Sequence, residues 1–144
     1  MTKTYARLAV YICLCLLVPM SQPVRGGSSI NWVSYEEGMT VGRIEKKNIF
    51  LHFYADWCGY CKKMAAETFQ DGAVIDFLNK NFISIRVNSD NDPQTAMQYG
   101  VRGVPYTVIL LETGESIGTI SGYIPAEPLL DMLKEAESIK AANP

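Results

Sequence analysis

Apolar residues recur along this chain at two spacings, and the changes of spacing divide it into strands and helices. The densest run, Ile49 to Tyr54, is short, aromatic and interrupted only by His52, which predicts a buried strand. After Cys58 the spacing lengthens, with Met64, Ala65 and Phe69 at helix-like intervals, so the strand feeds a helix start at the cysteine. Upstream, residues 30–47 carry a helix signal: Ser34 as N-cap, Glu37 as its capping-box partner and Lys46 and Lys47 near the end, with Asn48 closing it. Gly38 and Gly42 lower the helix propensity of that stretch.

Downstream, Asp71-Gly72 marks a break and a new cap, and Val74, Ile75, Phe77 and Leu78 supply the apolar face of a helix ending near Asn79 to Asn81. Phe82 to Val87 alternates as a strand does. Asp92 then caps a short helix with Pro93 in its first position, running to Tyr99-Gly100. Tyr106 to Leu111 is a second β-branched run, and Glu112-Thr113-Gly114-Glu115 turns it back into Ser116 to Ser121. An amphipathic helix over Pro128 to Ala141 closes the pattern, with Leu129, Leu130, Met132, Leu133 and Ala136 near one face. The order β-α-β-α-β-β-α, preceded by a helix, predicts an α/β domain with a mixed sheet and helices on both sides.

At 144 residues the chain has room for one domain with a real core. Its 48% hydrophobic and 19% charged residues and its formal charge of −2 offer no basic surface for nucleic acid. The beginning differs in kind. Lys3 and Arg7 precede eleven uncharged apolar residues, Leu8 to Val18, followed by Pro19, Ser21, Gln22 and Pro23 and then small residues. This is the layout of a secretory signal, and eleven residues fall short of the roughly 20 that span a bilayer. The expected organisation is a signal peptide over 1–27 and one domain over 28–144, exported to a periplasm or secreted. Removing 1–27 takes away Lys3, Arg7 and Arg25 and no acidic residue, which carries the formal charge from −2 to −5. A lipid anchor at Cys13 is the weaker alternative, because Tyr11-Ile12 lacks the small residues of a lipoprotein signal. So is a retained membrane anchor.

Cys13 and Cys15 leave with the leader, so Cys58 and Cys61 are the cysteines of the exported chain. Exported proteins use disulfides as staples, but a single pair three positions apart points to chemistry instead. In the first turn of a helix the free N–H groups and the macrodipole favour a thiolate at Cys58, the nucleophile, while Cys61 lies one turn deeper on the same side as the resolving thiol. Structural zinc is the competing use of such a pair, but Cys58, Cys61 and His52 provide three ligands where four are usual. Neither a metal nor a cofactor is expected.

Trp57-Cys58-Gly59-Tyr60-Cys61, the later Val104-Pro105 and the element order together resemble the thioredoxin fold from about Asn48 to Ala136. The leader and the Asn31-Trp32 lead-in are similar to envelope members, among them the C-terminal domains of DsbD-type reductases. The resemblance implies a cis bond at Val104-Pro105 beside the disulfide, with the backbone before the proline pairing with an extended substrate. It places Trp57, Tyr60, Val104 and Pro105 at the substrate, with Tyr106 at the border. It also exposes departures. His52 stands where thioredoxin has a buried acid, and Arg86 where it has the accompanying lysine. His52 is thus a candidate for proton transfer, weighed against a neutral strand histidine satisfied by a hydrogen bond. Gly59-Tyr60 replaces Gly-Pro and occurs in DsbC-type isomerases, so the direction of electron flow stays open. The reading is a disulfide reductase acting on protein thiols and disulfides, as a monomer, with a membrane reductase as electron donor. The alternatives are a disulfide oxidase or isomerase and a redox-inert binding module.

Overall fold

The structure, a computed structural model, describes residues 29–142, so the leader expected over 1–27 lies outside the described residues. The described chain forms β1 (Trp32–Val33), α1 (Tyr35–Glu45), β2 (Asn48–Tyr54), α2 (Gly59–Ala66), a 3-10 turn (Thr68–Gln70), α3 (Gly72–Asn81), β3 (Phe82–Asn88), α4 (Pro93–Gln98), β4 (Tyr106–Leu110), β5 (Ser116–Ser121) and α5 (Ala126–Ala142). The strands make one sheet in the order β1-β3-β2-β4-β5. β2 and β3 run parallel, as do β1 and β3, whereas β4 is antiparallel to both β2 and β5. This is the thioredoxin fold with a mixed sheet flanked by helices.

One strand departs from the pattern-based expectation. β1 is only two residues long, pairing Trp32 with Ser84 and Val33 with Ile85, in a segment read as the approach to a helix. Two residues cannot display a period of two, so its partner strand alone reveals it. The helix that follows begins where the caps predict, the amide of Glu37 donating to Ser34 Oγ at 3.3 Å. It ends at Lys46, in the left-handed conformation at φ 52°.

Gly38 and Gly42 also find their reason here. A Cβ on Gly38 would lie 2.3 Å from Cγ1 of Ile85, and one on Gly42 2.9 Å from Cγ1 of Ile49. The glycines let α1 approach the sheet closely, and that packing outweighs their poor propensity.

The alternation along β2 divides the core. Ile49, Leu51 and Phe53 pack with Ile85, Val87, Ala96, Val108 and Leu110 on the face covered by α1 and α4. Phe50 packs with Met64, Phe69, Leu78, Leu129 and Leu133 on the face covered by α2, α3 and α5. β2 is central and buried except at its last residue, Tyr54, so the chain leaves the core at the point where the cysteines begin.

Candidate active site

From Tyr54 the chain passes Ala55, which is buried, and the amide of Cys58 donates to the Ala55 carbonyl at 3.2 Å, closing a tight turn. This turn makes Cys58 the N-cap of α2, and the amide of Cys61 points at Cys58 Sγ with N···S 3.1 Å. The two sulfurs are joined as a disulfide, their Cα atoms 5.2 Å apart. Cys58 is 4% and Cys61 2% exposed, packed with Ala55 and flanked by Tyr54 and Val104. In the reduced state the same Cys61 amide and the unpaired N–H groups of the first turn favour a thiolate at Cys58.

The second wall comes from the loop before β4. Val104-Pro105 is cis, and the Val104 carbonyl oxygen lies 3.5 Å from Cys58 Sγ. The Pro105 carbonyl accepts from the amide of Gly122, a residue at φ 87°, which joins the proline loop to the end of β5. Residues 46 positions apart in sequence are thereby brought against one sulfur.

Two exposed aromatics stand on either side. Trp57 is 71% exposed and its indole N–H donates to Asp90 Oδ2 at 2.9 Å. Next to it opens a groove of about 280 Å³ lined by Trp57, Pro93, Ala96, Met97, Val101 and Val104 among others. Tyr60, 66% exposed, leans towards Tyr123 with ring centroids 6.4 Å apart. Lys63 lies 4.6 Å above the Tyr123 ring, and the Tyr123 hydroxyl donates to Glu67 Oε2 at 2.8 Å. Tyr106, by contrast, is half-buried and packs with the Leu51 and Phe53 face of the sheet.

His52 is buried away from this rim. Its Nδ1 shares a 2.9 Å hydrogen bond with Thr107 Oγ1, and its ring packs against Phe69, Phe50 and Trp32. Burial first, and the charge of Arg86 second, push its pKa from 6.5 down to about 3. At neutral pH it is an uncharged imidazole with little affinity for a proton. Arg86, its neighbour in register on β3, stacks over Tyr54 with the guanidinium 4.0 Å from the ring centroid. Asp56 accepts from Asn88 Nδ2 at 3.2 Å.

The structure thus brings Cys58, Cys61, Trp57, Tyr60, Val104 and Pro105 to one end of the sheet and leaves His52 in the layer below. Asp90 and Met97 were missed in the sequence. Asp90 lies in a polar run with no signal of its own, and Met97 is an apolar residue on a short helix whose faces the pattern does not sort, and it is 74% exposed.

Comparison with known proteins agrees with this geometry. The chain is 31% identical over 90 residues to a thioredoxin from Griffithsia pacifica, an alignment covering 62% of this chain and 79% of the relative. It is 38% identical over 81 residues to the chloroplastic thioredoxin M4 of Arabidopsis thaliana, covering 56% of this chain and 40% of that one. Among solved structures, a thioredoxin from Thermus thermophilus superposes with a TM-score of 0.69 at 26% identity, covering 74% of this chain and 86% of that chain. The C-terminal domain of Neisseria meningitidis DsbD in its oxidised form gives 0.60 at 25% identity, covering 70% and 90%. Residues 35–137 match the thioredoxin-like domain family, and with the Cys58–Cys61 disulfide at the head of α2 the chain belongs to that family as a thioredoxin-like redox protein.

Proposed function

We propose that this protein is an exported thiol-disulfide oxidoreductase working as a disulfide reductase on protein substrates. The observation that carries the reading is the position of Cys58: capping α2, facing the Cys61 amide at 3.1 Å and the Val104 carbonyl at 3.5 Å, between two exposed aromatic side chains. The Cys58 thiolate attacks a substrate disulfide, one substrate sulfur leaves as a thiolate, and the other stays in a mixed disulfide with Cys58. The Cys61 thiolate then attacks Cys58 Sγ, releasing the second substrate thiolate and forming the disulfide seen here. Two electrons pass to the substrate, and an electron donor, for which we propose a membrane reductase, restores the dithiol.

Trp57, Tyr60, Val104 and Pro105 hold the substrate: the Val104 backbone pairs with an extended peptide and the aromatics cover its flanks. The substrates are proteins with accessible disulfides, and the protein acts as a monomer in the periplasm or outside the cell. Support for export comes from the leader pattern of residues 1–27.

The test is a trap. In Cys61→Ser the mixed disulfide cannot resolve, so the envelope fraction should hold covalent adducts that a reductant dissolves, and Cys58→Ser should hold none. Absence of adducts, together with no turnover of any disulfide by the unmodified protein, rejects the reading. Equilibration with glutathione sets the direction: a potential near the thioredoxin end of the family range supports a reductase, one near the DsbA end an oxidase. The mass of the protein recovered from the envelope fraction reads whether the leader has been removed.

A further inference from the structure

Four large apolar side chains are exposed among the described residues: Ile44 on α1, and Trp57, Tyr60 and Met97 near the active site. Trp57 and Tyr60 flank Cys58 in sequence, whereas Met97 reaches the site through the fold. With Trp57 it lines the groove of about 280 Å³, and the same groove is bounded by Ala55 and Val104, which pack on Cys58 and Cys61. The groove is therefore continuous with the disulfide. The backbone of α4 is fixed beneath it: Asp92 Oδ1 accepts from the Thr95 amide at 3.0 Å, Ala96 is buried, and the Ala96 carbonyl accepts from the Val101 amide at 3.0 Å. The Met97 side chain projects from this anchored turn into solvent. The other methionines of the described chain are sheltered, Met64 fully and Met39 and Met132 half-buried against the two core clusters. A dissolved oxidant thus meets the thioether of Met97 first, and oxidation turns a flexible apolar side chain into a polar one.

We propose that Met97 is a modification site: hydrogen peroxide oxidises its thioether to the sulfoxide, and the sulfoxide weakens the hold of the groove on protein substrates while leaving the dithiol chemistry intact. The inference rests on the oxidoreductase reading, since it needs a protein disulfide brought to Cys58. The step balances. The Met97 sulfur gives an electron pair to one peroxide oxygen, the O–O bond breaks, the S–O bond forms, and the other oxygen leaves as water with the remaining two hydrogens. The sulfur is oxidised by two electrons and the peroxide reduced by two. Methionine sulfoxide reductases reverse the change. The consequence follows from what surrounds the side chain. Pro93, Ala96, Val101 and Val104 make the groove largely apolar, so it favours apolar side chains of a substrate. A substrate backbone paired at Val104 rises about 3.3 Å per residue, and side chains two positions from its sulfur lie on the same side as that sulfur, over the groove. A polar sulfoxide at the rim of such a groove must be desolvated whenever an apolar side chain covers it.

The experiment treats the full chain with hydrogen peroxide while Cys58 and Cys61 are joined, and peptide masses record the order in which the methionines gain oxygen. Met97 should be oxidised ahead of Met39, Met64 and Met132. Dithiothreitol then reopens the disulfide, leaves the sulfoxide in place and serves as electron source for turnover of two substrates, insulin and hydroxyethyl disulfide. Peroxide treatment should raise KM for insulin about three- to tenfold, as loss of a partly buried apolar contact does, and leave the rate with hydroxyethyl disulfide as it was. Met97→Leu, compared with itself before and after peroxide, should show no rise, and Met97→Gln should show the raised KM without peroxide. Oxidation of Met39 or Met132 ahead of Met97 overturns the proposal. So does an insulin KM that stays constant once Met97 is fully sulfoxide, or a rise of equal size in Met97→Leu. If neither substrate turns over before peroxide is added, it is the oxidoreductase reading that fails, and the order of oxidation still tests Met97 as the modified residue.

Discussion

Trp57 and Asp90 are joined by a hydrogen bond, indole Nε1 to carboxylate Oδ2 at 2.9 Å, that fastens the segment before Cys58 to the loop after β3. Because the indole is largely exposed, this bond rather than burial holds it beside the groove. A hydrogen bond to a charged acceptor nets about 1.5–3 kcal/mol, less when solvent competes. Asp90→Ala should therefore raise KM for a protein disulfide by about three- to tenfold, since tenfold corresponds to about 1.4 kcal/mol. Its rate with a small disulfide should stay the same. Steady-state kinetics on both substrates decide this, and an unchanged KM for the protein substrate removes Asp90 from the docking surface.

The close seat of α1 makes an unusual forecast for a helix. In an exposed helix Gly→Ala gains up to about 1 kcal/mol. Gly38→Ala should instead cost about 1–3 kcal/mol, because its methyl would meet the fully buried Ile85 at 2.3 Å. Urea titration reads the difference, and a variant as stable as the parent would mean that α1 shifts freely on the sheet.

His52 makes stability depend on pH with a definite sign. Below pH 6.5 the unfolded chain binds a proton there that the folded chain refuses until about pH 3. The unfolded state therefore holds more protons in that window, and stability is lost as the pH is lowered, by about 1.4 kcal/mol per unit from this residue alone. Asp92 acts lower. Its side-chain hydrogen bond with Thr95 comes first among the causes that hold its carboxylate below the ordinary 3.8, so its contribution is present above that value and lost beneath it. Chemical denaturation between about pH 4 and 6 thus isolates the histidine. His52→Phe should flatten the slope there, and a slope that survives the change assigns it to other groups.

Much of the architecture could be read locally. Ser34, Asp71 and Asp92 cap the helices they precede, Pro93 opens α4, and residues 112–115 turn β4 into β5. Each is a matter of neighbours along the backbone: a side-chain oxygen reaching an amide two or three residues on, or a turn between two apolar runs. The disulfide pair was legible for the same reason, since Cys58 and Cys61 share one helical turn. The proline wall was not legible from spacing; it entered through the resemblance to thioredoxins.

The sequence by itself determined where the longer strands and the helices lie and which sulfurs can pair, because those outcomes depend on contacts within a few residues. Tertiary structure alone decided that Trp32–Val33 is a strand, that Gly38 and Gly42 are contact points, that the Val104 carbonyl faces Cys58 and that Arg86 shares a cavity with Cys61. Each of these joins residues far apart along the chain. Such meetings are set by how sheet and helices pack as a whole, and a one-dimensional pattern of polar and apolar positions records which faces are buried but not what lies opposite them.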